Sequence, residues 1–484
     1  MGTASVQFSS LSAAERVAAL VDPGTLIRFA GNAAADSAAW IGAGQIAGHQ
    51  VLLALTDGHQ RGGTVGVHEA GMLAQLTDAL TAATAAVIVC WDTGGVRVEE
   101  GPVALATASA VGVALARLSL TGPRLVTIIS GPRGCFGAPS VMAALSHLVI
   151  MTEEARWGLT GPKLLRAGEA PAEEYLGLTA TSAAHRFKAG HADAVVPDAA
   201  VALRAQLAAF LARRWRPPGP ARALGRSVAD SAKLLRQVKA GDAGAVVAAG
   251  AGSRHQRDLL RFSFRGHWRP TGPVLRRGLV HAAWGLLDER PALGIIVGYE
   301  RARDTGVGIE EASAVSEIVR FATTASAGEP APIFTFLFCQ GHAIDLGQER
   351  FGLHRALAEC LRSFVAARLL GHPLLCVLGG GAYGAAYLSL AAPSHRILAM
   401  KGTTVAPMAP RVLAAFRSLR GMREAPETPA GLAELIPEIR MVDSVIRLPR
   451  VLREELDALL ATVRPSVTRR KRRPADSGTP RPLR

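Results

Sequence analysis

Residues 86–95 read AVIVCWDTGG, and residues 333–342 read IFTFLFCQGH. Each is a short apolar run that stops at a polar glycine turn. A run of this length without alternation predicts a strand buried on both faces, as in a parallel sheet. Each is followed by an Ala/Leu-rich helical stretch (Val103–Leu118 and Leu353–Leu370), and then by a second apolar run. Those second runs are LVTIIS after Gly122-Pro123-Arg124 and LLCVLG after Gly371-His372-Pro373. They enter matching turns, Gly134-Cys135-Phe136-Gly137-Ala138 and Gly381-Ala382-Tyr383-Gly384-Ala385. Aligning Gly94 with Gly341 and Gly137 with Gly384 gives one common register, and Ser146-His147 then answers Ser394-His395 one residue later. Strands alternating with helices imply right-handed parallel crossovers, here used twice.

The surrounding chain fits a large α/β protein. It has 484 residues, 49% hydrophobic and only 5% aromatic, with 51 glycines. The five cysteines form no CxxC pair, which excludes a zinc ribbon or a thioredoxin motif and predicts a reducing, cytoplasmic setting. No apolar run reaches 18 residues, so no membrane association is expected. The N-terminus, with Glu15 and Arg16 ahead of any long apolar stretch, does not read as a signal peptide. Net charge is +15, but residues 464–484 alone carry eight basic residues against one acid. That Pro-rich tail reads as disordered, and without interleaved aromatics it predicts no specific nucleic-acid binding. The Arg214–Arg222 stretch is the strongest linker signal. The expected division is a first domain at 1–225, a connector at 226–264, a second domain at 265–462 and a basic tail at 463–484.

A glycine turn from strand to helix leaves backbone N–H groups free at the helix start, where they suit an anion. Neither turn is followed by the Lys-Ser/Thr of a phosphate loop, and neither spells G-x-G-x-x-G. Simple close packing is the competing reading of each turn alone. Cys135 lacks a Cys-His-Asn arrangement and reads as small-residue packing. His68 reads as part of an early turn, and no HxH or HxxxH pair supports a metal site. Ala399-Met400-Lys401-Gly402 approaches a biotin-accepting motif but lacks its second Met and follows an apolar strand. His342 and Glu349 are the polar candidates near the second turn, with surface or capping roles as the alternative. An inward-facing His342 with a pKa near neutrality would suit a proton relay.

The motifs Asp92-Thr93-Gly94-Gly95-Val96-Arg97, Gly131-Pro132-Arg133-Gly134-Cys135-Phe136-Gly137 and Trp157-Gly158-Leu159-Thr160-Gly161-Pro162 resemble the β half of a crotonase-like carboxyltransferase. Gln340-Gly341-His342, Gln348-Glu349, the Gly381–Tyr387 turn and Gly402–Met408 resemble the γ half. Together they resemble the biotin-independent malonate decarboxylases, with β and γ subunits fused, over about residues 8–460. The resemblance implies an α/β fold of two crotonase-like (ClpP/crotonase, carboxyltransferase-type) domains in tandem. It implies decarboxylation of a malonyl thioester carried on the dephospho-CoA-derived arm of an acyl carrier protein, giving an acetyl thioester and CO₂. No covalently bound cofactor and no metal are implied. The implied partners are that acyl carrier protein subunit and an acyltransferase (alpha) subunit, with a homo-oligomer also compatible. Carried over by motif, Phe136, Gly137, Ala138, Gly384, Ala385 and His342 become the catalytic candidates. Gly94, Gly95, Val96, Gly134, Cys135, Gln340, Gly341 and Tyr383 become the substrate-binding candidates. Two alternatives stand beside this reading: a biotin-dependent acyl-CoA carboxyltransferase, and a catalytically dead scaffold that binds an acyl carrier. Gly161-Pro162-Lys163, where the family commonly continues with Glu, and Ile344-Asp345-Leu346 depart from the pattern and leave the acyl group open.

Overall fold

The apolar runs around residues 86–95 and 333–342 each form an interior strand of a seven-stranded sheet. In the first sheet, β1 (Ile27–Arg28), β2 (Ala39–Ile46), β3 (His49–Thr56), β4 (Ala86–Trp91), β5 (Arg124–Ile129), β6 (Leu148–Thr152) and β7 (Ala194–Val196) lie side by side in chain order. From β3 onward the pairing is parallel, and every residue of β4 and β5 is buried. The second sheet repeats the plan with β8 (Trp268–Arg277), β9 (Val280–Leu287), β10 (Arg290–Val297), β11 (Ile333–Leu337), β12 (Leu374–Leu378), β14 (Arg396–Met400) and β16 (Ile439–Val442). A separate two-stranded parallel pair, β13 (Gly381–Tyr383) and β15 (Thr404–Ala406), carries the second glycine turn. The chain thus forms two crotonase-like α/β domains in tandem. This computed structural model describes residues 6–29, 37–161, 178–222, 263, 267–298, 306–325, 329–339, 341–420, 436 and 439–462. The connector, apart from Ser263, and the basic tail lie outside the described residues, as do Lys163 and Gln340.

Just inside its first strand each sheet carries an antiparallel hairpin that the alternation of strands and helices does not predict. β2 and β3 turn at Ala47-Gly48, and β9 and β10 turn at Asp288-Glu289. All four turn residues have positive φ, between 47° and 75°, the geometry of the two-residue turn whose twist matches its strands.

The repeat is written in side-chain bonds as well as topology. Glu69 accepts from the amides of Ala38 (3.2 Å) and Gly66 (3.0 Å), and Glu311 accepts from those of Leu279 (3.1 Å) and Gly308 (3.0 Å). His147 Nδ1 accepts the Leu125 amide and His395 Nδ1 accepts the Leu374 amide, at 2.9 and 3.1 Å. Val65 forms a bridge with Val96 and Val307 forms one with His342. This last pair shifts the expected register by one residue: Gly95 (φ 120°), and not Gly94, is the counterpart of Gly341 (φ 105°).

Three apolar layers hold the molecule together. The helices Ala13–Leu20 and Ala200–Leu211 cover the outer face of the first sheet through Val17, Leu20, Leu203 and Leu207. The helix Leu448–Thr462 covers the outer face of the second through Leu452, Leu456 and Leu459. Between the sheets, one continuous core joins both halves. There the helix Gly101–Thr121 packs on the helix Leu353–Leu369, and a Cβ at Gly112 would come within 2.6 Å of Leu388 Cδ1. The stretch Val98–Thr121 is long and apolar enough to cross a membrane by composition, and 61% of its apolar window is buried between these layers. The Pro-rich stretch expected as a linker instead folds back on the first half, where Trp215 Nε1 donates to the Gly122 carbonyl and Gly219 N to that of Leu120.

Candidate functional site: two facing glycine turns

The first turn is assembled from three strand ends. Asp92, at the end of β4, is fully buried, and its Oδ1 accepts the Arg133 amide at 2.9 Å. Arg16 lies 3.5 Å from its other oxygen, and Thr56 Oγ1 receives the Asp92 amide. Burial pushes the Asp92 pKa up, against the Arg133 amide and Arg16. Asp92 thereby anchors the loop that leads to Gly137. Beyond it, Cys135 lies beside Thr93 on one side and Trp157 on the other.

Counting backbone donors identifies which of them a ligand can use. Gly94 N donates to the Gly62 carbonyl, Gly95 N to Thr93 Oγ1, and Gly134 N to the Gly131 carbonyl. Cys135 N donates to Arg156, Phe136 N to Thr93, and Gly137 N to the Leu159 carbonyl at 3.0 Å. Phe136 and Gly137, expected as oxyanion donors, have therefore spent their N–H groups within the fold. The N–H groups of Val96 and Ala138 are bonded to no other described group. Ala138 is the first residue of the helix Ala138–Ala143, where an N–H has no intrahelical partner. Gly137 (φ 65°) brings the two together: a Cβ there would lie 3.4 Å from Gly95 Cα and 4.0 Å from Val96 N. Val96, Phe136 and Gly137 keep part of their surface exposed, whereas Ala138 is buried behind them.

The second turn repeats this plan with different side chains. His342 takes the place of Val96, and Ala385, after Gly384 (φ 49°), takes the place of Ala138. The amides of His342 and Ala385 are likewise bonded to no other described group. The His342 ring faces the turn: a Cβ on Gly384 would lie 3.8 Å from its Cε1 and Nδ1. The residue as a whole is half-buried, and loss of water around the ring pushes its pKa down to about 4. The expectation of a relay with a pKa near neutrality is corrected accordingly: at pH 7 this imidazole is neutral. Tyr383 is buried, with its hydroxyl hydrogen-bonded to Thr404. The helix starting at Ala138 lies against the turn Gly384–Ala386, so the two halves bring their glycine turns to one interface.

The remaining candidates fall away from this chemistry. Cys135 is buried and its pKa is raised well above the usual thiol value, by loss of water and by Asp92. His68 is exposed in the first turn of the helix Val67–Asp78. Among the described residues no group of three His, Cys, Asp or Glu side chains is placed to hold a metal. Met400 ends β14 and Lys401 N donates to the Val442 carbonyl, so the near-biotin motif is part of the sheet. Asp345 caps the helix Leu346–Phe351 through the Gln348 amide, and Gln348 Oε1 in turn accepts from Ile309 N.

Glu349 is the largest departure from expectation. It is neither a surface residue nor a cap, but is buried across the interface in the first half. Its carboxylate accepts the amides of Leu159 (3.0 Å) and Thr160 (2.9 Å) and pairs with Arg186 at 2.7 Å, itself fully buried. Loss of water raises the Glu349 pKa and lowers that of Arg186, while their mutual attraction opposes both shifts. Nothing around Arg186 in the sequence signals this role, because its partner lies 163 residues away.

Comparison with known proteins follows the same division. Residues 10–214 match the carboxyl transferase domain family, and residues 302–481 match the malonate decarboxylase gamma subunit family. Over 451 residues the chain is 26% identical to the acetyl-coenzyme A carboxylase carboxyl transferase subunits beta/alpha of Salinispora tropica, covering 84% of this chain and 77% of that protein. It is 24% identical over 188 residues to the malonyl-S-ACP:biotin-protein carboxyltransferase of Malonomonas rubra, covering 33% of this chain and 59% of that one. A solved Pseudomonas malonate decarboxylase hetero-tetramer in complex with malonate aligns at 27% identity over 50% of this chain and 94% of that one, with a TM-score of 0.42.

Proposed function

We propose, for a chain that joins a carboxyl transferase domain to a malonate decarboxylase gamma-type domain, that it removes CO₂ from a malonyl thioester. The coarser activity, carboxyl transfer or decarboxylation of a carboxylated acyl thioester, follows from those relatives. For the finer reading the carrying observation is the pair of unspent amides at Val96 and Ala138. Cleavage of the bond between the malonyl methylene and its carboxylate releases CO₂ and leaves its electron pair in an enolate, with charge on the thioester oxygen. Two fixed N–H donors bind that oxygen more tightly as the charge develops, which lowers the barrier and not merely KM. A proton then quenches the carbon to give the acetyl thioester. The His342 and Ala385 amides, across the interface, hold the departing carboxylate. A neutral His342 serves there as a hydrogen-bonding wall and leaves the final proton to water.

In this reading the thioester arrives on the dephospho-CoA-derived arm of an acyl carrier protein, an acyltransferase subunit reloads it, and no cofactor is bound covalently. A net charge of +15 suits an acidic carrier. The relative from Malonomonas, by its name a biotin-protein carboxyltransferase, supports a second reading in which the carboxyl group passes to biotin. The test is CO₂ release by the purified chain from malonyl-CoA and from a malonylated carrier, with and without excess avidin. Avidin-insensitive release with an acetyl thioester product is expected. Release that requires a biotinylated acceptor would transfer the case to the second reading, and binding without release would indicate a scaffold.

A further inference from the structure

We propose that Glu349, supplied by the second half, is a positioning residue that holds the Ala138 amide of the first half in place opposite that of Val96. The proposal rests on the oxyanion role given above to those amides, and its structural part stands without it. Residues 156–160 run alongside the glycine turn as an extra strand: Cys135 N donates to the Arg156 carbonyl, Gly158 N to Cys135, and Gly137 N to Leu159. Trp157 Nε1 ties the same segment to the Ser140 carbonyl in the helix that Ala138 begins. The far edge of the segment is held by Glu349. One carboxylate accepts the N–H of Leu159, whose own carbonyl receives Gly137, and also the N–H of Thr160.

Arg186 locks the carboxylate in place. Its Nε donates to the Trp157 carbonyl at 2.7 Å, and its two other nitrogens reach the Glu349 carbonyl (2.9 Å) and Oε1 (2.7 Å). The fit is close, since a Cβ on Gly158 would lie 2.6 Å from Glu349 Oε1. One ordered path therefore leads from a side chain of the second half, through Leu159, to the amide beside Ala138. Misplacing reacting groups by about 1 Å costs on the order of 100-fold in rate, so this path acts on kcat. The first half can present a competent amide pair only when the second half is docked.

Two double variants of the full chain separate the oxygen acceptor from the charge. Arg186→Met with Glu349→Leu removes the pair and the acceptor, leaving no buried charge unpaired. Arg186→Met with Glu349→Gln removes the charges but keeps one acceptor oxygen for Leu159 and Thr160. For CO₂ release from the malonyl thioester, the Leu variant is expected to lose about 10- to 100-fold in kcat with KM within about twofold. The Gln variant is expected to recover most of that loss. Amide hydrogen exchange, measured without substrate, should rise at residues 134–145 in the Leu variant alone. Equal kcat in the two variants, or a loss that merely follows the unfolded fraction seen by circular dichroism, would overturn the proposal. So would unchanged exchange at the turn. If the wild-type chain releases no CO₂ yet exchange at the turn rises only in the Leu variant, the functional reading fails and the positioning role stands. Should the Leu variant not fold, Glu349→Asp withdraws the oxygens by one methylene and is read by the same exchange assay, where an unchanged turn would overturn the proposal.

Discussion

At the scale of single residues, the site is a matter of two N–H groups among many. Ala138→Pro removes one of them where the helix tolerates proline, since the first helical N–H is unpaired in any case. Turnover should fall about 10²- to 10³-fold with the unfolding temperature nearly unchanged, measured by steady-state kinetics beside a thermal melt. Gly137→Ala tests the geometry instead: at φ 65° a side chain is strained, although its Cβ would only touch Gly95 Cα. It should lower both kcat and stability, the latter by about 1 kcal/mol or more. Arg97→Met leaves Glu69, 2.9 Å from Arg97 and almost wholly buried, without its cation. A loss of about 3–5 kcal/mol in urea unfolding is expected. The sequence displayed the turn residues but not their accounting. That Phe136 and Gly137 are spent and Val96 and Ala138 are not depends on which carbonyl lies opposite each amide, and Thr93 and Leu159 are brought there only by the fold.

At the scale of elements, the parallel strands were legible because burial on both faces leaves an unbroken apolar run, as in β4 and β11. The hairpins were not. Ala47-Gly48 and Asp288-Glu289 adopt a turn whose usual signal is Asn-Gly or Asp-Gly, so two weaker dipeptides concealed it. The register of the repeat slipped by one residue for a similar reason. Gly94 and Gly95 are adjacent, and only the bridges from Val65 and Val307 decide which of them answers Gly341. Glu349 was visible in a motif but illegible in role, because burial of a carboxylate depends on a cation that arrives from the other half. Packing between helices makes its own prediction. Gly112→Val places methyl groups against Leu388 and Met142, and should cost about 1–3 kcal/mol, seen as a lower unfolding temperature.

At the scale of the whole molecule, several histidines folded in their neutral form set an acid limit. The pKa of His342 is held at about 4 by loss of water, and that of His395 at about 4 by loss of water together with Arg368 and Arg396. The unfolded chain takes up these protons below about pH 6.5, whereas the folded chain resists until about pH 4. Their contribution to stability is therefore complete above that window and is lost as pH falls through it. Urea midpoints measured from pH 7.5 to 4.5 should decline, and His342→Gln with His395→Gln should flatten the decline. The shared core between the sheets has a different consequence, in time. The helix Gly101–Thr121 finds its partner in Leu353–Leu369, which the ribosome makes far later. At about 5–20 residues per second, that apolar helix waits about 10–50 s for its cover. During synthesis the nascent first half is a natural client for a chaperone, and a chain halted before the second half would carry the same sticky face.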